Sequence, residues 1–310
     1  MSDTLLITRP ESGLALFLSL LNGRVVPSAA WKRSSCRLKF LLRALAWPVA
    51  TAHHMQHIAS QPAMRQALNV QPMLPGKIHR PYLYLGLSAS QRVQALSQHY
   101  LFLQQLNSIA LRNAMLSSQP TELTRFCGKD GEEFRITMNC RGRCEREGEV
   151  NMLLDCDGKT LAIVTFAVVE QQGLPVMIVG GMQGADASTP HELIRTATKS
   201  CYGLFPKRVL MEGVSLLARA MGIQAIQAVS DRSHTYRSVR YRFKKKAVFL
   251  ASYDEFWQSL SAEPVSEQLW QLPQVFSQKP MEEIPSKKRA EYRRRYELLE
   301  NIREQFSRFH

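Results

Sequence analysis

The sequence predicts an α+β protein: a helical N-terminal half, then a mixed central sheet flanked by helices, then one further helix at the C-terminus. Three observations carry this. Apolar residues recur at helical spacing within residues 1–120, as in Val93, Leu96, Tyr100, Leu103 and Leu106. From Thr121 onward, β-rich runs alternate with Asp-Gly and Gly-Leu-Pro turns. Residues 223–229 then form a charge-free apolar run between Gly222 and Ser230-Asp231, the pattern of a strand buried on both faces.

Taken in order, residues 1–120 read as a basic all-helical region, 121–262 as an α/β domain, and 263–310 as a proline-containing linker with a basic helix. Residues 13–22 suit a short apolar helix, and residues 36–58 a longer one interrupted at Pro48. In the second, Leu38, Leu41, Leu42 and Leu45 alternate with Arg37, Lys39 and Arg43, so a basic edge flanks an apolar face. That pattern fits an interfacial helix, and equally a core helix with a solvated edge, because Trp47-Pro48-Val49-Ala50 reads as packed. Pro72, Pro75, Gly76 and Pro81 break the chain before a helix expected over residues 88–116, with Ser88 or Ser90 as its N-cap. Acids and β signals begin after Ser117-Ser118-Gln119-Pro120, which marks the expected domain boundary.

Residues 123–126 and 132–139 pair across Gly128-Lys129-Asp130-Gly131, residues 151–156 and 159–169 pair across Asp157-Gly158, and Gly173-Leu174-Pro175 turns into residues 176–181. This antiparallel meander leads into a loop expected over residues 180–188. Thr189, Pro190 and Glu192 have the spacing of N-cap, first-turn proline and third-position acid in a capping box. A helix with Val209, Gly213, Leu216, Leu217 and Ala220 on one face, stopped by Gly222, then feeds the buried strand. Residues 248–251 read as a further strand, and Ser252 with Glu255 opens another helix. Prolines 264, 273, 280 and 285 mark an extended strap. The tail from Ser286 carries Tyr292, Tyr296, Leu299, Ile302, Phe306 and Phe309 along one helical stripe, which docks on its own chain or on a membrane surface or nucleic acid.

The formal charge is +14, and its distribution says more than its size. Residues 12–121 contain no Asp or Glu but eleven Lys and Arg, from Arg24 to Arg112. Such a surface attracts anionic partners: phospholipid headgroups, nucleic acid or phosphate-bearing ligands. Six cysteines at irregular spacing argue against a disulfide framework and fit a reducing compartment. Cys127, Cys140, Cys144 and Cys156 lack the two close pairs of a zinc site, and His53 with His57, at i and i+4, lacks an acidic third ligand nearby, so no metal is expected. No run reaches the ~18 apolar residues of a spanning helix, and the N-terminus is a poor signal peptide. The expected location is cytoplasmic, with peripheral attachment to the inner membrane as an extension.

In an α/β layer the residues just past a buried strand sit at the ligand-binding edge. Here that segment begins at Ser230. His234 suits a general base near neutral pH. Arg237 and Arg240, with Arg232 and Arg242, suit bidentate phosphate binding. Seven cations between Arg232 and Lys246, with no acid after Asp231, repel one another unless solvated or neutralised by an anion.

The order SDRSHTYRSVRYRFKKK, then ASYDEFW, preceded by GGMQG and a basic helical half, resembles the VirK/YbjX family of Gram-negative bacteria over most of the chain. That resemblance implies a setting of virulence, envelope stress and antimicrobial-peptide resistance, without a biochemical activity. The order of elements, meander, Gly-containing loop, helix, buried strand and Tyr-bearing helix, is similar to the GNAT acyltransferase fold. This second resemblance implies that Gln183, Gly184 and Ala185 present backbone N–H groups to the pyrophosphate of acyl-CoA at a helix N-terminus. It also implies that Tyr236 or Tyr241 protonates a leaving thiolate. The spacing after Gln183 departs from that family's loop, and about thirty-five residues, enough for two helices, separate the loop from the buried strand. Two functions follow as expectations: binding of anionic partners at the inner membrane in support of the envelope, or acyl-CoA-dependent acyl transfer. Nucleic-acid binding is a third, permitted by charge but without a reading motif.

Overall fold

The computed structural model describes residues 12–141, 144–186, 188–238 and 252–309. Its N-terminal region is helical: α1 (Gly13–Asn22), α2 (Ala29–Lys32), α3 (Ser34–Ala46), α4 (Pro48–Ser60) and α5 (Pro62–Val70) precede a 3-10 turn (Leu74–His79). Pro48 and Pro62 each start a helix, where a missing N–H costs nothing. The segment Trp47-Pro48-Val49, expected to pack, is exposed, as are Leu38, Leu42 and Leu45; only Ala50 of that run is buried. The core contacts of α3 come instead from Phe40 and Ala44 on its other side.

Next comes α6 (Ala89–Gln105), opened by a reciprocal cap: Ser88 Oγ accepts from the Gln91 N–H at 3.2 Å and Gln91 Oε1 from the Ser88 N–H at 2.9 Å. The single helix expected over residues 88–116 is two, because the chain turns extended at Leu106 and restarts as α7 (Ile109–Met115). Ser108 accounts for the break, since its hydroxyl accepts from the Leu111 N–H and so caps a new helix.

Strands β1 (Thr121–Cys127), β2 (Glu133–Asn139), β3 (Val150–Cys156), β4 (Lys159–Gln171) and β5 (Leu174–Gly184) form the antiparallel meander. Helices α8 (His191–Ser200) and α9 (Pro206–Ala220) carry the chain to β6 (Ala225–Val229), which pairs parallel with β5. After α10 (Tyr253–Ser259), β7 (Glu263–Pro264) and β8 (Leu269–Leu272) complete a sheet of order β1-β2-β3-β4-β5-β6-β8-β7 among the described residues. The class is α+β, as the periodicities indicate. The expected loop at residues 180–188 begins later, because β5 stays paired with β4 as far as Gly184. The capping box at Thr189 does not form: α8 starts at His191 without a side-chain cap, and the Thr189 N–H donates to Asp186 O at 2.8 Å. The strand expected at residues 248–251 lies outside the described residues.

Residues 161–169 of β4 are all buried, so both sheet faces are covered there, and both α6 and α9 rest on β4. Gly213 lets α9 approach closely, since a Cβ there would stand 3.0 Å from Ile136 Cδ1. The helical region is fastened to the sheet by a buried ion pair, Lys77 Nζ to Glu149 Oε1 at 2.6 Å. Tyr100 donates to the other carboxylate oxygen at 2.5 Å, and Gln71 donates to the Glu149 carbonyl at 3.1 Å.

The last helix, α11 (Ser286–Phe306), docks on its own chain through Leu298, Leu299, Ile302 and Phe306. Gln305 pairs with the free side of β1, accepting from the Arg125 N–H at 2.9 Å and donating to Arg125 O at 2.7 Å. An edge strand so occupied offers no template for another chain at that point.

Candidate functional site

Strands β5 and β6 pair only from Val176 with Ala225 to Val179 with Ala228. At the next residue, β5 bulges: Thr165 and Phe166 of β4 face Gly181 and Val179, leaving Gly180 as the extra residue. A bulge bends its strand, and beyond it β5 and β6 part like a fork.

Helix α10 closes the fork with two side chains. Tyr253 Oη accepts from the Met182 N–H at 3.1 Å and donates to Met182 O at 3.0 Å, so it satisfies the strand edge that β6 leaves. Trp257 Nε1 donates to Val229 O at 2.9 Å on the other prong. Asp231, just past β6, holds α10 by accepting from the Tyr253 N–H at 2.9 Å and from Ser252 Oγ at 3.1 Å. Ser252 also caps α10 through the Glu255 N–H, as its spacing indicates.

Behind the bulge lies a buried carboxylate, Glu147. Gln183 Nε2 donates to both its oxygens, at 3.0 and 3.1 Å, and His234 Nε2 lies 3.3 Å from Oε1. His234 Nδ1 accepts from the Tyr236 N–H at 3.3 Å, which leaves the proton on Nε2, facing the carboxylate. The His234 ring stacks on Tyr253 at 5.1 Å. Burial, and then the Glu147 charge, push the Tyr253 and Tyr236 hydroxyls well above the ordinary tyrosine value. Gly180 and Gly181 make room for this group: a Cβ on Gly180 would collide with the Glu147 carbonyl, and one on Gly181 with its carboxylate.

A cavity of about 990 Å³ opens beyond the end of β5. Gly184, Ala185 and Asp186 form one wall, and Phe205, Lys207 and Arg208 at the start of α9 form another. Phe256 of α10 and Tyr292, Arg295 and Tyr296 of α11 line the rest. The first turn of α9 has no acid, so no side chain of its own offsets the positive end of the helix dipole. Lys207 is half-buried beneath the Phe256 ring, and burial pulls its ammonium below the ordinary lysine value. Arg208 is paired with Glu212 at 2.8 Å, and the Arg295 guanidinium lies 4.0 Å from the Tyr292 ring centre while donating to Tyr202 O.

The residues expected to act together thus divide between two places. Gly184 and Ala185 line the cavity, whereas Gln183 turns its amide to Glu147. His234 belongs to the buried cluster, Tyr236 packs on its ring, and neither is among the cavity's lining residues. Arg237 is exposed and outside the lining, and Arg240 and Tyr241 lie outside the described residues. Glu147, Tyr253 and Lys207 went unrecognised in the sequence. The adjacent glycines 180 and 181 were the signal for the first, because paired glycines inside a strand mark a close approach. His53 is exposed, His57 Nδ1 lies 3.3 Å from Gln61 Nε2, and no group of three potential metal ligands occurs among the described residues. All six cysteines are free thiols.

Comparison with known proteins adds a family. Residues 29–308 match the family described as "Protein of unknown function (DUF535)". The chain is 40% identical over 297 residues to "Uncharacterized protein YbjX" of Escherichia coli (strain K12), covering 96% of this chain and 90% of that protein. It is 26% identical over 216 residues to an uncharacterized protein of Haemophilus influenzae, covering 69% of this chain and 70% of the relative. A Mannheimia haemolytica protein named "Membrane protein LapB" is 22% identical over 209 residues, 65% of this chain and 86% of that one. No solved structure matches.

Proposed function

The chain belongs to the DUF535 family, and we propose that its cavity holds a phosphate-bearing acyl donor of the CoA class for acyl transfer. The observation that carries this reading is the cavity's position. It lies beyond the end of β5, between Gly184 and the acid-free start of α9 with its half-buried Lys207. A helix N-terminus favours phosphate through its backbone N–H groups and dipole. An ammonium drawn out of water is most stable beside an anion. The aromatic rings of Phe205, Phe256, Tyr292 and Tyr296 offer faces to a base or an acyl chain, and about 990 Å³ is the size of a small-molecule site. The likeness to the GNAT order of elements supports the same reading, with the phosphate site moved from the loop after Gln183 to the start of α9.

In such a transfer the acceptor nucleophile attacks the thioester carbonyl and forms the new acyl bond, the C–S bond breaks, and the thiolate leaves and takes up the proton that the acceptor gives up. The Glu147–His234 pair is buried outside the cavity's lining, so its part is positional: through Gln183 it holds the end of β5 that leads to Gly184. Tyr253 holds the Met182 N–H in this conformation, so it fixes the strand edge that runs on to Gly184 at the cavity.

Thermal unfolding with added CoA and acetyl-CoA tests this. Saturating donor raises the midpoint of the wild type, by linkage worth about 2.7 kcal/mol at a hundred times the Kd. Gly184→Val places a side chain in the cavity beside Lys207 and removes the rise, as does Lys207→Ala. His234→Ala, outside the cavity's lining, keeps the rise. Absence of any shift in the wild type at millimolar donor contradicts the proposal.

The envelope setting implied by the VirK/YbjX resemblance has a second support in the charge of residues 12–121. We propose that the protein works peripherally at the anionic face of the inner membrane. No helix among the described residues is long and apolar enough to cross a membrane. The printed name of the Mannheimia relative agrees with this reading without extending to this chain.

A further inference from the structure

The exposed side of the N-terminal helices carries an apolar surface that the core does not use. Leu38, Leu42 and Leu45 of α3 are 56, 58 and 67% exposed. At about 100° per residue they share an arc of roughly 60° on the helix. That arc faces away from Phe40 and Ala44, the buried residues of the same helix. Beside α3, with Phe17 set against Phe40, α1 exposes Leu14 and Leu18. Val49, at the start of α4, is 65% exposed, and next to it the half-exposed Trp47 has the amphipathic character of a residue at a membrane interface.

Charge identifies the occupant. Lys39 flanks the leucines on α3, the exposed Lys32 and Arg33 precede them, and the helical region itself supplies no carboxylate, the nearest among the described residues being Glu145 on the far side of Lys39 and Arg43. An apolar helical face bordered by Lys and Arg is the arrangement of an interfacial helix, in which leucines enter the acyl boundary while the cations meet lipid phosphates. An acidic protein partner would satisfy the cations but leave open why leucines point to water singly along a helix. Nucleic acid would leave the leucines unused.

From these observations we infer that α1, α3 and the start of α4 form the docking surface for an anionic lipid bilayer, with Leu38, Leu42 and Leu45 inserted and Lys32, Arg33 and Lys39 at the headgroups. This inference rests on the peripheral-membrane reading and names its contact surface.

The test is co-sedimentation of the full chain with vesicles of phosphatidylglycerol and phosphatidylethanolamine, against vesicles of phosphatidylcholine alone. A variant carrying Leu38→Ser, Leu42→Ser and Leu45→Ser is compared, its fold checked by circular dichroism and thermal midpoint. These side chains lie outside the core, so the variant folds. The expected result is binding of the wild type to the anionic vesicles only, with at least about a tenfold loss in the variant. Wild-type binding that the variant retains in full overturns the surface assignment and leaves the peripheral reading intact. No wild-type binding to either vesicle overturns both. Duplex DNA binding unaffected by the substitutions, or a solution dimer dissociated by them, each without vesicle binding, overturns the assignment in favour of nucleic acid or of a second copy of this chain.

Discussion

At the scale of single residues, two buried carboxylates organise the interior. Glu149 joins the helical region to the sheet through Lys77, Tyr100 and Gln71; Glu147 sits behind the bulge with Gln183 and His234. Removing one partner of a buried pair leaves the other charge uncompensated, so Glu149→Leu or Lys77→Met alone lowers stability by about 3–5 kcal/mol. The double variant Lys77→Met/Glu149→Leu loses clearly less than the sum, by about 1–3 kcal/mol of coupling. Urea unfolding of the four proteins measures this, and strict additivity contradicts the pairing. Neither glutamate stood out in the sequence. Lys77 was legible only as one of eleven cations in an acid-free stretch, and its partner lies 72 residues away. Local patterning reports what a residue does to its own helix or strand, and a contact at that separation leaves no local trace.

At the scale of elements, the helical layer is fastened by imidazoles held neutral. His54 Nε2 lies 2.9 Å from Leu74 O, His79 Nε2 lies 2.9 Å from Thr51 Oγ1, and His99 Nδ1 accepts the Val168 N–H of β4 at 3.1 Å. Burial pulls all three down to about 4. In the unfolded chain they titrate near 6.5, so between those values the unfolded state binds more protons than the native state. Their contribution is complete above about pH 6.5 and falls away as the pH drops toward 4, by about 2 kcal/mol for each imidazole at pH 5. Denaturant midpoints between pH 7.5 and 4.5 follow this decline, and His99→Gln makes it shallower. A flat profile over that window contradicts the fastening. The elements themselves were largely legible: α1, the meander, α9, β6 and the docked α11 follow from periodicity, turns and Gly222. The break between α6 and α7 was missed because Ser108 serves equally well inside a polar helix face and as a cap. The helix start at Thr189-Pro190 was misplaced because its spacing fits a cap that the turn from Asp186 to Thr189 replaces. The site divided in the same way. Gly184 and Ala185, singled out through the GNAT resemblance, line the cavity, while nothing in the local pattern marks Lys207, which reaches it from the start of α9.

The whole molecule joins two properties that lie apart in the sequence: an acid-free helical region bearing exposed leucines, and a cavity beyond the end of β5. The first is compositional and was visible at once as an expectation of anionic partners, though not as a surface. The second is a product of topology, since the end of β5, the start of α9 and the return of α10 and α11 must all be in place before the cavity exists. Donor binding in that cavity is the central claim. Its most direct test is photo-crosslinking of the intact protein with a CoA thioester bearing a photoreactive acyl chain, followed by peptide mass mapping with free CoA as competitor. The account predicts competed labelling on the peptides carrying Gly184–Asp186, Phe205–Arg208 or Tyr292–Tyr296; labelling confined to other peptides, or unaffected by free CoA, contradicts it.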